Sequence, residues 1–212
     1  GLMGSGRTEL ARALIGADPK TSGKVFLRGK ELNIHGPADA VDAGIGYLSE
    51  DRKRFGLLLI QDVTFNIALS SLKKFTNKFG FFKKSPAVVI AKEGIKTLGI
   101  KTPSERQLLK NLSGGNQQKV VIAKWLAKDC EVLIFDEPTR GIDVGAKDEI
   151  YKLLTKLASQ GKSIIMISSE LPEVLRMSDR IAVMCEGRLT GIIENKDADQ
   201  NSIMQLATKF RD

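Results

Sequence analysis

Three strings restrict what this chain can fold into more than any other feature. It opens on Gly1-Leu2-Met3-Gly4-Ser5-Gly6-Arg7-Thr8, and Leu112-Ser113-Gly114-Gly115-Asn116-Gln117-Gln118 precedes an apolar run, Val132-Leu133-Ile134-Phe135, that ends in Asp136-Glu137. The first string has the spacing of a phosphate-binding loop, G-x-x-x-x-G-K-[ST], with Arg7 in the lysine position. Its glycines allow successive backbone N–H groups to curl around an anion at a helix N-terminus. Such a loop joins a strand to a helix, so the expected class is α/β with a mostly parallel sheet.

The rest of the chain has that rhythm, with one interruption. Thr8 to Ile15 reads as a helix ended by Gly16, Lys24 to Arg28 and Glu31 to Ile34 as strands about a turn, and Ala38 to Ala43 as a short helix. Ile45 to Leu48 reads as a buried strand. From Phe55 to Ala127 helical periods dominate: Thr64 can cap a helix through Leu69, Val88 to Leu98 is a second, and Ser113 can cap a third over Asn116 to Ala127. Lys73 to Pro86 has no clean period and is expected on the surface. Strands then return at Val132 to Phe135, Ser163 to Ile167 and Ile181 to Cys185. The helix Ala146 to Gln160 intervenes, with Ile150, Leu153, Leu154 and Leu157 on one face. The expected domains are therefore a discontinuous core, residues 1–54 and 128–212, and a helical subdomain inserted over 55–127. A phosphate loop normally follows a central strand, so the N-terminal strand is expected to be missing from the sequence as given. On that ground the 212-residue piece is expected to be weak or inactive by itself.

Composition narrows the function classes. No apolar run approaches the 18 residues of a membrane-spanning helix, and no signal-peptide pattern begins the chain. Cys130 and Cys185 each adjoin an apolar run and lie in no metal-binding spacing, which suits reduced thiols in the cytosol. The net charge of +8 is spread rather than gathered in one arm, densest at Arg52-Lys53-Arg54 and between Lys73 and Lys84. The single histidine, His35, precedes Gly36-Pro37 in a turn and is expected to be structural or exposed.

Each candidate site residue has a chemical reason. Thr8 offers a hydroxyl where Mg²⁺ needs an oxygen beside phosphates, and Asp136, at a strand end, suits a second magnesium contact. Glu137 follows as the natural general base for an attacking water. Ser113, Gly114 and Gly115 present amides and a hydroxyl at a helix start, a geometry that holds a terminal phosphate. Glu50 ends a strand close to where phosphates would lie, and needs Arg52 or magnesium as a partner to be tolerated there.

Together these strings resemble the ATPase cassette of ABC transporters, and the resemblance covers essentially the whole chain. It implies a RecA-like P-loop NTPase core using ATP and Mg²⁺, with Gly1, Gly4, Ser5, Gly6, Arg7 and Thr8 on the nucleotide. It also implies that the Ser113–Gly115 signature acts in trans, closing over nucleotide held by a facing cassette, and that Asp143 in Gly141-Ile142-Asp143 helps join the two cassettes. Three positions depart from the family pattern: Arg7 for the loop lysine, Glu50 for the usual glutamine, and Ser169 for the switch histidine. Those departures, with Asn116-Gln117-Gln118-Lys119 and the run Asp136 to Lys147, are similar to the C-terminal cassette of the tandem ATPase subunit of ribose-, galactose- and xylose-type sugar importers. The resemblance thus implies a degenerate phosphate-loop site, with Glu137, Ser169 and Glu50 as its catalytic positions, and an intact signature. It further implies an N-terminal cassette as partner, permease subunits docking on residues 50–59, a sugar-binding protein acting indirectly, and a cytoplasmic location on the inner face of the cell membrane. Two other functions fit parts of the pattern: a regulatory cassette that binds nucleotide without turnover, and a DNA-repair-type ABC ATPase. The second normally carries long heptad helices between loop and signature, and this chain has none, so no nucleic acid is expected as partner.

Overall fold

The computed structural model describes Leu2 and residues 4–210; Gly1, named above with the phosphate loop, lies outside the described residues. Three parallel strands form the centre: β3 (Ile45–Leu48), β4 (Val132–Asp136) and β5 (Ser163–Ile167), in that spatial order. β4 lies between the other two, and its unbroken apolar run is what a parallel strand covered on both faces requires. Side chains alternate across it. Ile134, with Ile45 and Tyr47, meets α1 (Arg7–Leu14) and α2 (Pro37–Asp42) on one face. Leu133 and Phe135, with Leu48, face a larger cluster containing α5 (Gly114–Lys128) and α6 (Val144–Ser159).

The remaining strands pair as two antiparallel hairpins rather than extending the parallel set. β1 (Val25–Leu27) and β2 (Lys30–Leu32) turn at Arg28-Gly29. β6 (Arg180–Cys185) and β7 (Arg188–Glu194) turn at Glu186-Gly187. Both turns have positive φ at their two central residues, the type I′ geometry that matches strand twist. The helix α7 (Leu171–Met177) precedes β6, and α8 (Gln200–Ala207) packs Ile203 and Ala207 against Ile181 and Val183.

Between β3 and β4 lie α3 (Val63–Ala68), α4 (Lys84–Leu98) and α5, mutually packed through Ile67, Ala91, Ala123 and their neighbours. A single apolar cluster joins these helices to Leu48, Phe135 and Ile150, so α5 is buried on nearly every side from Gln117 to Trp125. Two expected caps are corrected here. Asp62, not Thr64, caps α3, its carboxylate accepting from the Phe65 N–H; Thr64 is buried and donates to the Glu105 carbonyl. Ser113 holds the N-cap position of α5, but the helix starts at Gly114. The Ser113 hydroxyl caps no backbone N–H and instead accepts from the Asn116 side chain. The aperiodic stretch after Lys73 contributes Phe75 and Phe82 to a small cluster and leaves Phe79 and Phe81 on the surface.

Candidate functional site

The phosphate loop runs from Gly4 into α1 and closes against the second hairpin. Gly6 occupies the left-handed region at φ +89°, and a Cβ there would stand 2.8 Å from the Gly187 Cα. The Gly187 N–H donates to the Ser5 carbonyl, so the hairpin turn holds the loop from behind. The Ser5 hydroxyl is buried and, among the described residues, has no hydrogen-bond partner, an orphaned donor inside the loop.

Strand ends bring the acidic groups to this loop. Thr8 Oγ1 donates to Asp136 Oδ1 at 3.2 Å, and the Tyr47 hydroxyl donates to Asp136 Oδ2 at 2.8 Å. Burial, then the hydrogen bond to Asp136, pushes the Tyr47 phenol well above its usual range, which keeps it a donor. A threonine hydroxyl beside a buried carboxylate is a hard oxygen pair of the kind Mg²⁺ takes, and the orphaned Ser5 hydroxyl suits a phosphate oxygen. Thr8 and Asp136 are therefore the residues that would hold the metal.

Glu137 sits next along the chain at φ +48°, a conformation non-glycine residues rarely adopt and one that clusters at functional positions. Its carboxylate accepts from Ser169 Oγ at 3.1 Å and lies 3.6 Å from Arg7 Nη2. Burial raises its pKa, while the Ser169 hydrogen bond and the Arg7 charge oppose the rise. Arg7 also donates to the Ser168 carbonyl at 2.7 Å. The cation of the phosphate loop is thus directed at the ends of β4 and β5. The structure brings Arg7, Thr8, Asp136, Glu137 and Ser169 into one cluster.

Glu50 and the signature belong to a second group of contacts. Glu50 forms its ion pair with Arg140 and not with Arg52, the side-chain partner expected from the sequence. The reason is the polar turn Arg52–Gly56, which carries Arg52 away from Glu50 and lays its guanidinium over the signature. A Cβ on Gly114 would stand 2.7 Å from Arg52 Nη2, the tip of a side chain that can swing aside, whereas one on Gly115 would stand 3.0 Å from Ala146 Cβ, which must give by a few tenths of an ångström. Arg52 Nη1 also donates to the Arg140 carbonyl at 3.4 Å. Asp143 is exposed and caps α6, accepting from the Ala146 N–H.

Within residues 50–59 the side chains divide. Phe55 and Leu58 are exposed, whereas Leu57 is buried and Leu59 packs on the core. Sequence reasoning missed Tyr47, Arg140 and Lys124. A tyrosine in a buried strand needs a polar partner, which was the available signal for Tyr47. Arg140 lies inside the run Asp136 to Lys147 with no local cue to its partner, and Lys124 lies in an otherwise helical run.

A glycine loop abutting a threonine–aspartate pair, a strained glutamate beside it, and a separate serine–glycine helix start define an ATP-binding cassette. The chain belongs to the ABC transporter family, whose model matches residues 1–140. It is 61% identical, over 99% of its length, to a Burkholderia lata protein named ribose/galactose/methyl galactoside import ATP-binding protein 1. It is 56% identical over 98% of its length to the ribose import ATP-binding protein RbsA of Clostridium perfringens (strain SM101 / Type A). The chain spans 41% of each of those relatives, or about two-fifths of their length. Among solved structures, an ATP-binding cassette of an ABC transporter superposes with a TM-score of 0.81 at 19% identity, covering 97% of this chain and 84% of the other. A dimeric cassette in a post-hydrolysis state, bound to ADP and Pi, gives 0.74 at 22% identity over 90% and 81%. At those identities the likeness speaks for the fold. Among the described residues no helix is long and apolar enough to cross a membrane.

Proposed function

We propose that this chain is the ATP-binding cassette of a simple-sugar importer whose own phosphate-loop site turns over poorly, while its signature completes the site of a facing cassette. The supporting observation is Arg7. Its guanidinium is engaged by the Ser168 carbonyl and, at 3.6 Å, by the Glu137 carboxylate, so the candidate base is tied to a cation of the loop and its basicity is reduced. Glu50 and Ser169 stand where the family pattern has glutamine and histidine, and loss of one well-placed transition-state donor typically costs on the order of 10²–10³ in rate. The signature by contrast keeps its glycines, close-packed against Arg52 and Ala146.

On this reading, Thr8 and Asp136 would hold Mg²⁺, which would supply neutralisation of phosphate charge. Ser5 and the loop N–H groups hold phosphate, Tyr47 fixes the Asp136 carboxylate, and Glu137 is the group placed to accept a proton from water. Simple sugars are the cargo by the names of the relatives, and a second cassette is the signature's partner. The permease docks beside residues 50–59 on the cytoplasmic side, where Phe55 is exposed next to Arg52, Lys53 and Arg54. Steady-state ATPase measured on the full-length protein tests the site assignment. Gly114→Trp is expected to abolish most turnover and Arg7→Ala to leave much of it, with melting temperatures confirming both folds. The reverse ranking overturns the proposal.

A further inference from the structure

The stretch between α3 and α4 belongs to neither the phosphate loop nor the signature. It holds five lysines (Lys73, Lys74, Lys78, Lys83 and Lys84) and four phenylalanines, and no acidic residue lies between Asp62 and Glu93. The phenylalanines divide. Phe75 and Phe82 turn inward to Ala68 and Ala87, and the Phe82 ring centre lies 5.6 Å from that of Phe65. Phe79 and Phe81 stand at the tip, 73% and 71% exposed. That tip is a closed hairpin. Thr76 bridges Phe82, the Asn77 N–H donates to the Phe81 carbonyl, and the Asn77 side-chain oxygen accepts from the N–H groups of Phe79 and Phe81. The Lys83 N–H closes the base on the Phe75 carbonyl.

Two large apolar rings are thus held in water at the end of a fixed structure, where no other part of the chain covers them. The charge around them is also unmatched. Lys73 lies 3.6 Å from Asp42, but among the described residues Lys74, Lys78, Lys83 and Lys84 form no ion pair. The Lys78 ammonium stands 5.2 Å from the centre of the Phe79 ring. Exposed aromatic rings among uncompensated ammonium groups match a bilayer surface, which has anionic headgroups above an apolar layer. A second copy of this chain would bring like charge, at +8 per chain. The turn Leu69–Phe75 that leads into the hairpin lines a cavity of about 550 Å³ with exposed Phe55 and buried Lys124 and Trp125. The hairpin therefore leaves the fold from the side on which the permease is proposed to dock.

We propose that the Phe79–Phe81 tip inserts into an anionic lipid bilayer, with Lys78, Lys83 and Lys84 against its headgroups. The cassette then touches lipid directly, beyond any contact with the permease. Its orientation toward the membrane rests on the docking reading above, whereas the lipid contact is measured without the permease, so the two can fail separately.

The test sediments the full-length ATPase chain with vesicles of equal parts phosphatidylglycerol and phosphatidylcholine. Binding is expected there and not with phosphatidylcholine alone. Each lysine near an anionic surface adds roughly fivefold to the binding constant, so Lys78→Gln with Lys84→Gln should lose about 25-fold. Phe79→Ser with Phe81→Ser should lose at least about tenfold. All four side chains are exposed, so melting temperatures should hold. Lys196→Gln with Lys209→Gln, exposed lysines outside the hairpin, should lose little. An equal loss from that pair would assign binding to net charge and overturn the proposal, as would hairpin variants that bind like the parent. Phe79→Trp reads insertion directly. Its added emission should be quenched by lipids brominated on their acyl chains, and unquenched emission overturns the proposal. Release from vesicles by a single-stranded oligonucleotide that binds the hairpin more tightly would make nucleic acid the partner and also overturn it. A photo-crosslinker at Phe55 in the assembled complex tests the docking reading alone: no crosslink to the permease, with vesicle binding as expected, removes that reading and leaves the lipid contact standing.

Discussion

Replacing Gly6 by alanine tests how the phosphate loop is held. Two penalties coincide at this position. A left-handed backbone costs a non-glycine residue about 1–2 kcal/mol. The new Cβ would also stand 2.8 Å from the Gly187 Cα and 3.2 Å from the Gly187 nitrogen. Those are backbone atoms of a tight turn, so no rotamer change relieves the contact, and overpacking of this kind costs about 1–3 kcal/mol. Gly4 supplies an internal control. It has a similar φ of +73°, but a Cβ there would meet nothing within 4 Å. Gly4→Ala should therefore lose about 1–2 kcal/mol, and Gly6→Ala about 2–5 kcal/mol. Urea unfolding with unchanged slope measures both, and each kcal/mol corresponds to about 2–4 °C in melting temperature for a domain of this size. The informative quantity is the gap between the two variants. Equal destabilisation would refute the claim that the second hairpin supports the loop through contact at Gly187.

Lys124 predicts a pH signature. Burial lowers its pKa to about 8, so between that value and the ordinary 10.5 the unfolded chain binds the extra proton and stability rises with pH. The stability gap between Lys124→Met and the parent should shrink by about 3 kcal/mol as pH rises through that window, and a pH-independent gap in urea titrations would contradict it. Tyr47→Phe removes a donor from the buried Asp136 carboxylate and should lower stability by about 1–3 kcal/mol, read in the same titrations. Ser169→Ala and Arg7→Ala each remove a group that opposes the burial-driven rise of the Glu137 pKa; ¹³C NMR should show that carboxyl titrating at higher pH in both variants. Phe135→Ala, at a fully buried β4 position, should lose about 3–5 kcal/mol by thermal unfolding.

Much of the fold was legible because its signals are local. Ile45 to Leu48 and Ser163 to Ile167 are apolar runs of strand length, and Ile150, Leu153, Leu154 and Leu157 repeat with the helical period; each element stands where that pattern puts it. The glycines and acids of the site are likewise fixed by spacing along short loops and strand ends. What escaped depends on distances through space. Nothing near Glu50 in the sequence says that Arg140 will reach it, because the pairing depends on β3 and β4 lying side by side. Thr64 looked like a cap because threonine favours that position, yet tertiary packing turned it inward to Glu105 and left the role to Asp62. Lys124 was invisible for the same reason: a lysine in a helix reads as solvated until the layer that covers it is known.

The long central helix has a mechanical consequence. α5 begins at the signature glycines and, some ten residues on, carries Lys124 and Trp125 into the cavity beneath Phe55. At 1.5 Å per residue those ends lie about 15 Å apart along one rod. The rod is clasped by core side chains on nearly all sides, so it does not bend between them. Whatever tips the Trp125 end must swing Gly114, and with it the Arg52 guanidinium that rests there. The Trp125 end in the cavity and the Gly114 end beneath the Arg52 guanidinium are thus two readings of a single rigid coordinate, and neither can change alone.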